Sequence, residues 1–215
     1  MNRRLALLSL ILPLGGCALS GVRGSGVAAT EVRPVAPFTR VAASRGVQLV
    51  VSRGETGGLT ISADDNLLPL LVAESDGEVL TVKFSEPVRT ATPARVKVNA
   101  PTLTAVAAAS GASVTVHDLE AGALTIGAAS GAFVSASGFA ETLKIAAASG
   151  SDVDAAGLAA GAVTVSAASG ATAGVNAAES LTVKAASGAG VSYTVSPGVT
   201  PSVTTASGAT AGPAR

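Results

Sequence analysis

"VAAASGASVTVHDLEAGALTIGAASGAFVSA" (residues 106–136) carries two copies of Ala-Ala-Ser-Gly twenty residues apart, each set between runs that alternate aliphatic and polar residues. The tetrapeptide stands at 108–111, 128–131, 147–150, 167–170 and 185–188, with a variant, "TASG", at 205–208. Its glycines, Gly111, Gly131, Gly150, Gly170, Gly188 and Gly208, are 20, 19, 20, 18 and 20 residues apart. Self-similarity at a near-constant period of this length is the mark of a repeat architecture.

The flanks say which one. Upstream of the motif Leu124/Ile126, Leu143/Ile145, Val163/Val165 and Leu181/Val183 share one parity, and Thr125, Lys144, Thr164 and Thr182 the other. Downstream, Val114, Val134, Val153 and Val191 oppose Ser113, Asp152 and Thr172. Period-two alternation predicts strands with one face in a core. A single unit cannot fold alone. Ordering twenty backbones costs roughly 20–40 kcal/mol, and burying four aliphatic side chains returns only about 1.5–3 kcal/mol each. Stacked units share ladders and a continuous core. The fold class expected is therefore all-β, a parallel β-solenoid of 18–20-residue rungs, each reading strand, corner, strand and a looser return. Glycine supplies positive φ at the corner, serine is expected to bond local backbone through its hydroxyl, and the alanine pair keeps the inner layer thin.

Charge divides the chain. Residues 1–103 hold 11 of the 14 Lys/Arg and 8 of the 14 Asp/Glu, while the repeats carry few of either. The totals cancel and leave no basic footprint for nucleic acid. "GVQLVVS" (46–52), "GLTISA" (58–63), "EVLTVKF" (78–84) and "ARVKVNAP" (94–101) read as strands between the turns "RGETGG" (53–58) and "SDG" (75–77). "NLLPLLV" (66–72) reads as a short helical or irregular piece limited by Pro69. Residues 31–103 are expected to form first rungs and a charged, irregular cap over one end of the stack, where open strand edges need protection. Residues 104–212 form the repeats.

The first residues are an address. "MNRR" and the apolar "LALLSLILPL" form a signal peptide whose apolar run is too short to span a bilayer. "LGGC" (14–17) resembles the lipobox of bacterial lipoproteins. That resemblance implies cleavage after Gly16, lipidation of Cys17, a membrane as partner and, with Ala18 rather than Asp next, the outer membrane. Residues 17–30 are small and read as a flexible tether. Cys17 is the sole cysteine, so no internal disulfide exists.

Residues 32–84 resemble the opening of the auto-transporter adhesin head GIN domain family, a bacterial family of unassigned function. The resemblance rests on Phe38, Asn66-Leu67-Leu68, the strand "GEVLTV" and the AASG corners, and at the other end on "VSYTVSPGVTPSVTTASG" (191–208). Alanine often replaces the family's glycine or serine at the corner. The resemblance implies a β-helix-like domain over about 31–212 and an envelope location, and brings no catalytic residues.

Few residues offer chemistry. His117 is the sole histidine and, with Asp118 and Glu120 in "HDLE", lacks a second ligand cluster, so no metal and no cofactor are expected. No glycine run continues into a phosphate-binding Gly-Lys-Ser/Thr. Asp152 and Asp154 lie two apart on one strand and point outward about 7 Å apart, a pair to weigh as acid and base on a glycoside. Their cross-rung neighbours, Ser113, Phe133, Thr172 and Gly190 beside Asp152, and Thr115, Ser135 and Gly174 beside Asp154, add no charge. Thr125, Thr164 and Thr182 suggest an ice-binding ladder, which Lys144 interrupts. The function expected is non-enzymatic contact with a surface or macromolecule, the alternative being binding or cleavage of an envelope polysaccharide. The partner, an envelope glycan or protein, is not identified.

Overall fold

The structure, a computed structural model, describes residues 21–214. The AASG repeats build four long bent strands, β11 (Ser113–Ala128), β12 (Phe133–Ala147), β13 (Asp152–Ala167) and β14 (Thr172–Ala185), paired parallel in chain order. β15 (Gly190–Val195), β16 (Ser202–Thr205) and β17 (Thr210–Pro213) complete the stack at the C-terminal end. Like stacks over like, as the period requires: Val114 over Val134 over Val153, and Leu124 over Leu143 over Val163 over Leu181. These columns are buried and form one aliphatic core with Ile126, Ile145, Val165 and Val183.

Each corner is a tight turn in which both central residues have positive φ. At Ala109–Ala112 the Ala112 N–H donates to the Ala109 carbonyl at 3.1 Å, with φ of 52° at Ser110 and 73° at Gly111. This is the primed turn whose twist matches right-twisted strands. The same pair of values recurs at every AASG copy. Serine's role differs from the expected one. Its hydroxyl faces solvent and its backbone carbonyl is what serves: Gly111 N–H donates to Ser130 O, Gly131 to Ser149, Gly150 to Ser169, Gly170 to Ser187 and Gly188 to Ser207, all at 3.0–3.1 Å. The alanine pair also splits. Ala108, Ala128, Ala147, Ala167 and Ala185 are buried, whereas the second alanine of each pair is half-exposed. The residue after glycine is buried too, and where it is Ser151 its hydroxyl donates to Ala128 O at 2.9 Å and accepts from Ala148 N–H at 3.1 Å.

The return segments keep the ladder, in place of the looser closure expected. They also absorb the variation in repeat length, because register shifts fall between Val116 and Leu119, Ser135 and Gly138, and Ala155 and Ala159. Corners and flanking arms therefore stay aligned while spacing ranges from 18 to 20.

The N-terminal half supplies β1 (Val22–Arg23), β2 (Ala28–Arg33), β3 (Arg40–Ala43), β4 (Gln48–Arg53), β5 (Leu59–Asp64), a 3₁₀ turn (Asp65–Leu70), β6 (Leu71–Ser75), β7 (Val79–Phe84), β8 (Val88–Arg89), β9 (Arg95–Ala100) and β10 (Ala105–Ala108). Stack order departs from chain order here. The β3–β4 coil lies between the β7–β9 coil on one side and β10–β11 on the other. Antiparallel β6, β5 and β2 then close the end. The β3–β4 corner, Ser44-Arg45-Gly46-Val47, is a further copy of the repeat corner, with φ of 59° at Arg45 and 73° at Gly46, whose N–H donates to Ser110 O. Arginine replaces serine where the neighbouring coil runs wide after β7, and its guanidinium donates to the Phe84 and Ser85 carbonyls at 2.7 and 2.8 Å. Arg33 likewise donates to Leu68 O, which also accepts from the Leu71 N–H, and to Leu71 O, fastening β2 to the junction of the 3₁₀ turn and β6.

The segment from residue 21 to 30, expected as tether, belongs to the cap. β1 pairs with β8 and β2 with β5. The buried Asp64 carboxylate fastens the loop between β1 and β2, accepting from Gly26 N–H (3.1 Å), Ala91 N–H (2.8 Å), Thr92 N–H and the Thr92 hydroxyl (2.9 Å). Burial alone would raise its pKa; the converging donors outweigh it and hold the carboxyl below the usual range. Gly24 passes so close that a Cβ there would lie 2.0 Å from Asp64 Oδ2. Among the described residues no helix is long and apolar enough to cross a membrane.

Candidate functional site

One broad face of the solenoid is a ten-strand sheet running from β2 through β5, β9, β4, β11, β12, β13, β14 and β15 to β17. Strand alternation sends every second side chain outward, so the register writes two outer columns. The first reads Thr30, Ser62, Arg95, Gln48, Ser113, Phe133, Asp152, Thr172, Gly190, Thr210. The second reads Val32, Thr60, Lys97, Val50, Thr115, Ser135, Asp154, Gly174, Ser192, Gly212.

Asp152 and Asp154 thus sit where the sequence places them, exposed on β13 with the predicted neighbours. One oxygen of each is already engaged. Asp152 Oδ1 accepts from the Thr172 hydroxyl at 2.6 Å and Asp154 Oδ1 from Ala156 N–H at 3.2 Å. Past them the side chains shrink, and Gly174, Gly190, Ser192 and Gly212 floor a shallow trough of about 540 Å³ that begins at Phe133, itself 38% exposed. Two exposed carboxylates on one strand beside an open trough make this part of the face a charged, polar surface.

Sequence reasoning missed the other charged pair on this face. Arg95 and Lys97 project from β9, four strands from β13. The alternation in "ARVKVN" marks them as outward, but only the register shows that they share columns with the aspartates. Arg95 Nε donates to Gln48 Oε1 at 2.9 Å. Among the described residues none of these four charges has an ion-pair partner; the pairs present are Arg33–Glu31, Arg40–Glu78 and Arg53–Glu120.

The remaining candidates are dispersed. His117 is exposed opposite Ser52, Asp118 turns the strand with φ of 55°, and the Glu120 carboxylate is held by Arg53 at 2.5 Å. No cluster of three or more metal-binding side chains occurs among the described residues. On the other arm the column Thr125, Lys144, Thr164, Thr182 is flanked by Gly127, Ala146, Ser166 and Lys184, so no second threonine column lies beside it. Gly111, Gly131, Gly150, Gly170, Gly188 and Gly208 all occupy corners, a building role. Gly16 and Cys17 lie outside the described residues.

No curated protein sequence matches the chain. Solved structures do. A "putative adhesin" from Bacteroides fragilis is 18% identical with a TM-score of 0.70, covering 90% of this chain and 100% of its own. A second, from Parabacteroides merdae, is 18% identical at 0.58, covering 91% and 99%. A "putative lipid binding protein" from Parabacteroides distasonis is 12% identical at 0.52, covering 91% and 100%. At these identities the likeness is one of fold. The sequence profile described as "Putative auto-transporter adhesin, head GIN domain" matches residues 37–197, from just before Phe38 through the last full rung, and by that match the chain belongs to the auto-transporter adhesin head GIN domain family.

Proposed function

We propose that this is a non-enzymatic, lipid-anchored protein of the cell envelope, held in the outer membrane through Cys17, whose solenoid makes contact with surfaces or macromolecules. The observation that carries the reading is the short distance between the lipobox and the fold. Val22 already pairs with Val88 in the cap, so it stands five chain steps from Cys17, about 17 Å at full extension. A lipid there would hold the cap end at the membrane and leave the outer faces of the stack available for contact. The adhesin description of the family and the open, polar character of the broad face support the same reading. Acyl chains at about 0.8 kcal/mol per buried CH₂ make such an anchor firm.

Fractionation of cells producing the full chain tests it. Wild type partitions with membranes, globomycin causes the precursor to accumulate, and Cys17→Ala abolishes membrane association. Equal partitioning of wild type and Cys17→Ala contradicts the anchor.

A further inference from the structure

We infer that the broad face is a self-association surface, on which a second copy of this chain docks face to face with its stack reversed. Opposite charges lie at equal distances from one strand of that face. Arg95 and Lys97 on β9 stand two strands from β11 on the cap side, and Asp152 and Asp154 on β13 stand two strands from it on the other. A two-fold axis along β11 reverses the stack and keeps each column facing itself. It therefore sets Arg95 opposite the second copy's Asp152 and Lys97 opposite its Asp154, twice over, with Ser113 and Thr115 on the axis. An isologous interface needs this kind of self-complementarity.

Shape follows the same symmetry. The cap half of the face projects Arg95, Lys97 and Val32, the last 74% exposed, and beyond Phe133 the other half has no side chain as large. The C-terminal half carries the glycine-floored trough. The axis places each projecting half over the other copy's trough, with Val32 opposite Ser192 and Thr60 opposite Gly174. Nine of the ten strands overlap. At about 4.8 Å per strand and five residues of width, the contact covers roughly 600 Å² on each partner, the lower edge of standard interfaces and the size of a reversible dimer. The four charges have no ion-pair partner within the described residues, and like charges brought together at another register would repel. Because the chain enters at the cap, reversal puts the two N-terminal segments at opposite ends of the dimer, the arrangement in which copies on opposed surfaces meet. The dimer itself does not depend on the anchor.

Thiol crosslinking of the full chain decides the matter. Opposed sheets pack about 10 Å apart, a gap that a short bis-maleimide bridges between two Ser113→Cys side chains. The expected result is a covalent dimer from Ser113→Cys, none from the parent chain with Cys17 alone, and none from Ser166→Cys on the other arm. R95E/K97E and D152K/D154K, each added to Ser113→Cys, lose the crosslink; the combined fourfold exchange regains it, which separates lost pairing from lost folding. A Ser113→Cys chain that stays monomeric, a dimer indifferent to either reversal, or a fourfold exchange that fails to restore it overturns the proposal. Cys17 fractionation reports on anchoring separately.

Discussion

Gly138 and Gly150 both have positive φ, yet alanine at the two positions should have very different costs. Gly150 is a corner glycine with φ of 68°, and a Cβ added there would meet nothing within 4 Å. Alanine there costs only the left-handed backbone, about 1–2 kcal/mol, offset in part by a less flexible unfolded chain, about 0.4–1 kcal/mol. The net loss is about 1 kcal/mol, or roughly 2–4 °C in Tm for a chain of this size. Gly138 lies in the return of β12 with φ of 125°, and its Cβ would stand 2.2 Å from Leu119 O and 2.5 Å from Leu119 N. Those atoms are backbone of the adjoining rung, so relief means parting two coils at the register shift beside them. Overpacking of about 1–3 kcal/mol adds to a backbone region that is nearly closed to alanine, about 1–3 kcal/mol. Gly138→Ala should therefore cost about 2–6 kcal/mol, or roughly 4–24 °C. Ser149→Gly should go the other way, raising stability by up to about 1 kcal/mol, because Ser149 holds φ of 54° with its hydroxyl in solvent. Urea unfolding followed by far-UV circular dichroism at 25 °C measures all three. Equal losses at Gly138 and Gly150, or a clear loss from Ser149→Gly, would show that corner and return do not differ in this way.

Leu143→Ala, in the fully buried column between Leu124 and Val163, should lose about 2–5 kcal/mol by the same urea assay, and a loss under about 1 kcal/mol would mean the column is not packed as described. Asp64→Asn should be destabilising at neutral pH. The native carboxyl titrates below its unfolded value, so its contribution is complete above the ordinary carboxylate range and fades as pH falls through the depressed native value. The difference in urea midpoint between wild type and Asp64→Asn should hold from pH 7 to about pH 5 and shrink below about pH 4; a difference that stays constant down to acid pH contradicts the role given to the ionised group. Asp152→Asn/Asp154→Asn should leave stability within about 0.5 kcal/mol of wild type in the same assay, since both side chains are exposed.

Parity and corners were legible because every rung repeats the same physical problem. Val114, Val134 and Val153 must face inward, and Gly111, Gly131 and Gly150 must turn the chain, so each copy announces the others. The corner at 44–47 was hidden by a single residue. Arg45 sits where the other corners have serine, and its reason, the Phe84 and Ser85 carbonyls, lies in a distant part of the chain. Insertion of the β3–β4 coil between β7–β9 and β10–β11 leaves no local trace either, since parallel pairing carries no turn signal between partners. The small residues of 21–30 read as tether for want of a core pattern. One of them is small because Gly24 must pass Asp64, a contact visible only in three dimensions. The broad face was half legible: alternation identified Asp152 and Asp154 as outward, but their alignment with Arg95 and Lys97 depends on coil order.

A contact solenoid anchored at its cap stands or falls on the chemistry of its first mature residue. Intact-mass and N-terminal peptide spectrometry of the mature protein taken from the envelope reads that residue. The mature chain should begin at Cys17, with a diacylglycerol on its sulfur. A chain that begins elsewhere, or carries an unmodified Cys17, would be incompatible with a lipid anchor at the cap.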